Sequence, residues 1–222
     1  CVALRPSCAS WIPCCRCAAY GKALCTPAAY GCATPSAGPD LPSGSKIIHL
    51  IGPGGAGKTT SGEILAELLD RDFIDLDRMF LKRQGHIASF IDAHGYAAYA
   101  RRNVALYSEV RAAIRTPAVI AMSSGFMTYP AMVDESYPAI RAAIERDPCT
   151  VLLLPSLDVN ICVEILVPRQ LARPYLDADE AHEERRVRER HPIFLELACQ
   201  RYIGLEDPAS VASRLAQMLG CQ

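Results

Sequence analysis

The sequence predicts an α/β fold in which a five-stranded parallel sheet is covered by helices on both faces. Short apolar runs with strand character alternate with helical segments from residue 46 to residue 219, and this alternation is typical of parallel sheets. A glycine-rich turn joins the first strand candidate to the first helix candidate, as in proteins that bind phosphate groups at a helix N-terminus. The predicted strands lie near residues 46–51, 72–76, 118–123, 150–155 and 201–204.

The composition is that of a globular chain without a strongly charged partner. Half of the 222 residues are hydrophobic and the net charge is −1. This balance gives no electrostatic reason to expect nucleic acid or a membrane surface as a partner. No apolar run approaches the length of about 18 residues that a membrane span requires. A cytoplasmic protein is therefore predicted, acting as a monomer on a small-molecule substrate.

The first 44 residues differ from the rest of the chain. They hold seven of the eleven cysteines, and residues 34–45 have the Ser, Gly and Pro content of a linker. Zinc binding and a targeting segment are alternatives, but the Cys14-Cys15-x-Cys17 spacing does not match that of structural zinc sites. We predict a disordered or artefactual extension over residues 1–44 and a single folded domain over residues 45–222.

The glycine-rich turn fits the phosphate-loop pattern G-x-x-x-x-G-K-[ST] between a strand and a helix, the context that this motif requires. Its glycines allow backbone N–H groups to curl around an anion. Lys58 is predicted to reach the β- and γ-phosphates of ATP, and Thr59 to offer its hydroxyl to Mg²⁺. The predicted nucleotide-binding residues are Gly52, Gly54, Gly55, Ala56, Gly57, Lys58, Thr59 and Thr60.

The residues after the loop narrow the class of phosphate-loop protein. No [NT]-K-x-D motif for guanine follows, and the folded domain of residues 45–222 has the size of a small-molecule kinase. Asp75 and Asp77 are predicted on the same face of a short strand. There Asp75 would approach Mg²⁺ while Asp77 orients or deprotonates an acceptor hydroxyl.

At these residues the chain resembles the shikimate kinases, small phosphate-loop kinases that phosphorylate a cyclic hydroxy acid. The resemblance extends over residues 46–219, beginning with GPGGAGKTT and the D-x-D of Asp75 and Asp77. It continues in GHIASFIDAHGYAAYAR at residues 85–101 and in RVRERHPIF at residues 186–194. It implies a nucleoside-monophosphate-kinase type of fold, with ATP and Mg²⁺ as cofactors.

The resemblance also implies roles for individual residues. Arg190 would bind the substrate carboxylate, and Arg173 would face the phosphates as a catalytic residue beside Lys58 and Asp77. Ser124 and Gly125 stand where the family has the glycines on which the substrate rests. Residues 174–190 would form a mobile lid over ATP. Within that range, the mixed charges of residues 182–191 indicate a helix with a solvated face.

Two positions depart from the family pattern. Ala100 and Asn103 stand where the family pairs a substrate-binding arginine with a glutamate. Arg101 is the candidate replacement, and Ser123 and Ser124 narrow the substrate floor. The predicted function is ATP-dependent phosphorylation of a hydroxyl on a small hydroxy acid, with shikimate as the first candidate. A kinase for a sugar acid, nucleoside monophosphate or antibiotic, or a non-catalytic nucleotide-binding regulator, are the alternatives.

Overall fold

The computed structural model describes residues 47–172 and 179–220. Two short 3₁₀ turns, Phe126–Thr128 and Ala131–Val133, follow the third strand. In chain order the elements are β1 (Ile47–Ile51), α1 (Lys58–Leu68), β2 (Asp72–Asp75), α2 (Leu76–Gln84), α3 (Ile87–His94), α4 (Tyr96–Ala113), β3 (Ala118–Ala121), α5 (Tyr137–Arg146), β4 (Thr150–Leu154), α6 (Val159–Leu171), α7 (Glu180–Glu196), β5 (Gln200–Ile203) and α8 (Pro208–Met218).

The five strands form one parallel sheet in the order β2-β3-β1-β4-β5, which confirms the predicted fold class. β3 and β4 are buried along their whole length, whereas β2 and β5 at the two edges are partly exposed. This difference explains why the central strands are continuous apolar runs, because both of their faces are covered by helices.

Each face of the sheet has its own apolar core. On one face, Ile48 and Leu50 of β1 belong to the same cluster as Leu65 of α1 and Leu215 of α8. On the other face, β1 contributes Ile51 to a cluster with residues of α2, α4, α5 and α7. Neighbouring strand residues therefore serve opposite cores, as the alternation of side chains along a strand requires. None of the described helices combines the length and the apolar character needed to cross a membrane.

The predicted lid is in part a packed helix. Helix α7 takes up its second half, and Val187 of α7 is buried in a small cluster with Leu166 of α6. The mixed-charge pattern predicts this helix correctly, and Glu183 pairs with Arg186 as its spacing indicates (2.5 Å). Mobility of the lid stays a prediction.

Two further sequence predictions concern parts of the chain outside the described residues. The cysteine-rich extension of residues 1–44 is one of them, and the catalytic role of Arg173 is the other. The domain boundary at residue 45 and the phosphate contact of Arg173 both stay predictions.

Candidate active site

The phosphate loop lies at the carboxyl end of β1, in the predicted context of strand, loop and helix. Gly52 has φ = +136°, and a Cβ atom at this position would lie 2.4 Å from the carbonyl oxygen of Leu153. Gly57 caps the N-terminus of α1 with φ = +90°. Both positions exclude larger residues on geometry, because L-residues rarely adopt this φ and β4 passes against Gly52. The loop therefore presents its backbone at the start of α1, where the helix dipole favours an anion.

Lys58 is held across this loop. Only 8% of its surface is exposed, and its Nζ donates to the carbonyl oxygens of Gly52 (2.8 Å) and Pro53 (2.7 Å). A buried ammonium group in this position provides the charge-assisted contact that a phosphate requires. The lysine also lines the larger of two cavities that border the loop.

Thr59 and Asp75, the predicted metal ligands, lie together. The Thr59 hydroxyl donates to Asp75 Oδ2 (2.6 Å), which connects the start of α1 to the end of β2. Oxygen ligands from a hydroxyl and one carboxylate suit Mg²⁺, which takes few protein ligands and completes its octahedron with phosphate oxygens and water. The described residues contain no cluster of three or more His, Cys, Asp or Glu suited to a metal ion. The Thr59–Asp75 pair would offer a bound Mg²⁺ one hydroxyl and one carboxylate oxygen.

The prediction that Asp77 lies on a strand with Asp75 is wrong. β2 ends at Asp75, whose Oδ1 accepts a hydrogen bond from the backbone N–H of Arg78 (3.0 Å) and so caps α2. Asp77 lies in the first turn of that helix, half-buried. An aspartate competes well for the N-cap position, and this local hydrogen bond ends the strand. Both carboxylates still border the larger cavity.

The larger cavity has a volume of about 520 Å³ and extends from the phosphate loop to α4 and the end of β3. It brings together side chains from α1, β2, α2, α4 and the loop after β3. They are Lys58, Thr59, Asp75, Asp77, Tyr99 and Ser124. Phosphate-binding groups and a carboxylate that can act as a base therefore share one cavity.

The two residues at the family's arginine and glutamate positions do not line the larger cavity. Ala100 and Asn103 lie in the core, with 1% and 0% of their surfaces exposed. Asn103 Nδ2 donates to the Tyr129 hydroxyl (2.9 Å). Arg101, the candidate replacement, is exposed and does not line either cavity. Arg190 and Gly125 lie close together, since a Cβ on Gly125 would lie 3.2 Å from Arg190 Nη2, but neither residue lines either cavity.

Two buried tyrosines, Tyr99 in the cavity wall and Tyr129 behind it, keep their hydroxyl protons. Burial raises the pKa of Tyr99 well above its usual value, and the charge of Asp77 adds to the effect. Burial likewise raises the pKa of Tyr129. Near neutral pH both phenols keep their protons, so each can donate a hydrogen bond.

A smaller cavity of about 290 Å³ lies on the other side of the loop, and the sequence prediction missed it. Its lining includes Arg169, Tyr202 and Pro208. Arg169 Nη1 donates to the carbonyl oxygen of Gly55 (3.2 Å), while the next residue, Gln170, lines the larger cavity. Nothing in the sequence around Arg169 and Gln170 indicates that these two neighbours line different cavities.

A phosphate loop that faces the carboxylates of a neighbouring strand end, within this sheet order, is the arrangement of a small phosphate-loop kinase. The family model for shikimate kinase matches residues 54–220. The chain belongs to the shikimate kinase family.

Individual relatives agree with this assignment. The shikimate kinase of Halorhodospira halophila is 33% identical over 161 residues, covering 68% of this chain and 80% of that enzyme. The shikimate kinase of Acinetobacter baylyi is 36% identical over 98 residues, so that match spans about half (52%) of the relative.

Solved structures show the same fold. The structure of shikimate kinase from Acinetobacter baumannii in complex with shikimate superposes with a TM-score of 0.61 at 25% identity. The superposition covers 78% of this chain and 92% of that one. The enzyme from Bacteroides thetaiotaomicron also gives a TM-score of 0.61, at 24% identity, and shows the likeness of fold.

Proposed function

We propose that this protein transfers the γ-phosphoryl group of ATP to a hydroxyl of a small hydroxy acid, with shikimate as the first acceptor to test. The observation that carries the proposal is the larger cavity. There the phosphate-loop lysine and the Thr59–Asp75 pair lie beside a second carboxylate, Asp77. Family membership supports the same reaction.

The two cavities suggest how nucleotide and acceptor divide the site. Both are bordered by Gly55, Gly57 and Thr60, so the phosphate loop lies between them. We assign the nucleoside to the smaller cavity, because a planar guanidinium and an aromatic ring, from Arg169 and Tyr202, suit a purine base. The acceptor then occupies the larger cavity, opposite the γ-phosphate.

The chain's own groups supply most of the chemistry. The acceptor oxygen forms a bond to the γ-phosphorus while the bond to the β,γ-bridging oxygen breaks and ADP leaves. Asp77 accepts the hydroxyl proton, and Lys58 stabilises the negative charge on the transferring group. Thr59 and Asp75 would hold Mg²⁺, which when bound neutralises phosphate charge. Arg190 would bind the acceptor carboxylate.

Replacing Asp77 by asparagine tests the proposal. We expect kcat in a coupled ADP-release assay with Mg-ATP and shikimate to fall by about 10²-fold or more, because general base catalysis is lost. ATP affinity, measured by calorimetry, should stay unchanged. Asp92→Asn, which alters an exposed aspartate on α3, is the matched control and should keep full activity.

The alternatives give different results in the same assay. ADP release that depends on another small alcohol and not on shikimate would rule out shikimate as the acceptor, a possibility that the buried Ala100 and Asn103 support. ATP binding without ADP release for any small alcohol would favour a nucleotide-binding regulator. Equal losses of ATP affinity and turnover in Asp77→Asn would contradict the assigned role of Asp77.

The proposed reaction also assigns the protein a small-molecule partner, and a cytoplasmic location stays a prediction. A monomeric state stays a prediction.

A further inference from the structure

Tyr96 occupies a prominent position that the family resemblance does not explain. It is the first residue of α4, one turn before Tyr99, and 39% of its surface is exposed. Its hydroxyl accepts a hydrogen bond from Arg190 Nη2 (2.8 Å). The guanidinium carbon lies 6.0 Å from the centre of the Tyr96 ring, at the outer limit of a cation–π contact.

This hydrogen bond leaves the proton of the Tyr96 hydroxyl available. The oxygen is the acceptor toward Arg190, so its own O–H remains free to donate in another direction. A carboxylate that meets the two side chains would receive hydrogen bonds from a guanidinium and from a phenol. Ala100, at the position of the second arginine in the family pattern, offers no such donor.

The substrate floor is shaped to admit the pair. A Cβ atom on Gly125 would lie 2.7 Å from the Tyr96 hydroxyl oxygen and 3.2 Å from Arg190 Nη2. A side chain at position 125 would therefore displace the Tyr96 hydroxyl, the Arg190 guanidinium or both. The preceding residue, Ser124, lines the larger cavity. Tyr96 and Arg190 do not line that cavity themselves, but they meet at Gly125, the residue next to its Ser124 wall.

The Tyr96 ring also packs against two other aromatic rings. Its ring packs against those of Tyr99 and Tyr129, with centroid distances of 5.8 and 6.0 Å. Tyr129 is in turn fixed by its hydrogen bond from the buried Asn103. Aromatic packing of this kind limits the rotation of the Tyr96 ring and keeps its hydroxyl next to Arg190.

We propose that Tyr96 is a specificity-determining residue that binds the acceptor carboxylate together with Arg190 and orients the Arg190 guanidinium. The inference rests on the proposed function, because it assigns a partner to the carboxylate of the same acceptor. Where the family pattern has two arginines for the acceptor carboxylate, this chain would use one charged donor, Arg190, and one neutral donor, the Tyr96 hydroxyl.

The test measures binding separately from turnover. Shikimate and shikimate methyl ester are titrated into the full chain by calorimetry, in the presence of Mg²⁺ and a non-hydrolysable ATP analogue. Tyr96→Phe should weaken shikimate binding about tenfold, the value of one lost hydrogen bond to a charged group. The ester, which carries no charge, should lose much less affinity. Arg146→Ala, which alters an arginine of α5 bonded to its own helix, is the control and should bind as the wild type does.

The outcomes separate the inference from the proposed function. If the wild type phosphorylates shikimate but Tyr96→Phe binds it unchanged, or loses affinity for acid and ester equally, the inference is overturned and the function stands. If the wild type neither binds nor phosphorylates shikimate, the proposed function fails and the inference fails with it. A folded Tyr96→Phe protein is verified by an unchanged affinity for the ATP analogue.

Discussion

At the scale of single residues, Gly52 shows how closely the phosphate loop fits the sheet. We expect Gly52→Ala to lower the free energy of unfolding by about 2–4 kcal/mol, because the new methyl group adds a clash with the Leu153 carbonyl to an unfavourable φ. Gly85→Ala is the control, since Gly85 has φ = +84° with nothing within 4 Å of a built Cβ.

The control isolates the steric part of the effect. Gly85→Ala should cost only the backbone strain of a conformation that glycine alone readily adopts (φ +84°, ψ −164°), about 1–3 kcal/mol. Chemical denaturation of both variants measures the difference. Equal losses of stability would mean that the loop moves away from β4 at no cost, against the close approach described here.

At the scale of elements, β1 carries a buried titratable group. His49 is 4% exposed and forms a hydrogen bond with the Tyr107 hydroxyl (2.9 Å). Burial lowers the pKa of His49 to about 4, against an opposing effect of Asp147 and with a smaller contribution from Arg111. The unfolded state therefore binds more protons between pH 6.5 and pH 4, so stability is lost as the pH falls through this range.

The His49 contribution can be measured against a variant. From pH 7 to pH 4 the wild type should lose about 3 kcal/mol more unfolding free energy than His49→Gln, whose amide retains a polar partner for Tyr107. Urea denaturation at several pH values gives both curves. Parallel curves for the two proteins would show that His49 does not carry this pH dependence.

The elements also show where sequence patterns suffice and where they do not. The apolar runs of β3 and β4 predict their strands because a strand buried on both faces consists almost entirely of apolar residues. The prediction for Asp77 is wrong because the Asp75 side chain caps a helix. The alternation of residue types does not show whether the chain continues as a strand or starts a helix at this point. The contact between Tyr96 and Arg190 joins residues 94 positions apart. Neither segment contains a signal for this contact, which arises from the packing of α4 and α7 beside the end of β3.

At the scale of the whole molecule, the phosphate loop divides the site into two volumes with different kinetic effects. Arg169→Ala should raise the KM for ATP about tenfold while leaving the KM for the acceptor unchanged, because Arg169 lines the smaller cavity and not the larger one. Steady-state kinetics with each substrate varied in turn measure both constants. Arg146→Ala, a surface arginine of α5 bonded to its own helix, serves as the control.

A rise in the KM for the acceptor equal to that for ATP would contradict the assignment of the two cavities to different substrates.

The sequence does not predict which cavity holds which substrate. The motif GPGGAGKTT identifies the phosphate loop. The other walls of the smaller cavity come from α6 and from the segment after β5, and neither contains a sequence motif that marks a binding site.

The cap at Asp75 has a consequence for how this family of sequences can change. Since α2 begins at that carboxylate, the offset between Asp75 and Asp77 is set by helical geometry, at about 100° and 1.5 Å for each residue. One inserted residue between them would swing the second carboxylate about 100° around the helix axis. An insertion or deletion in the first turn of α2 would therefore change the relative position of the two carboxylates, whereas a substitution further along the helix would not.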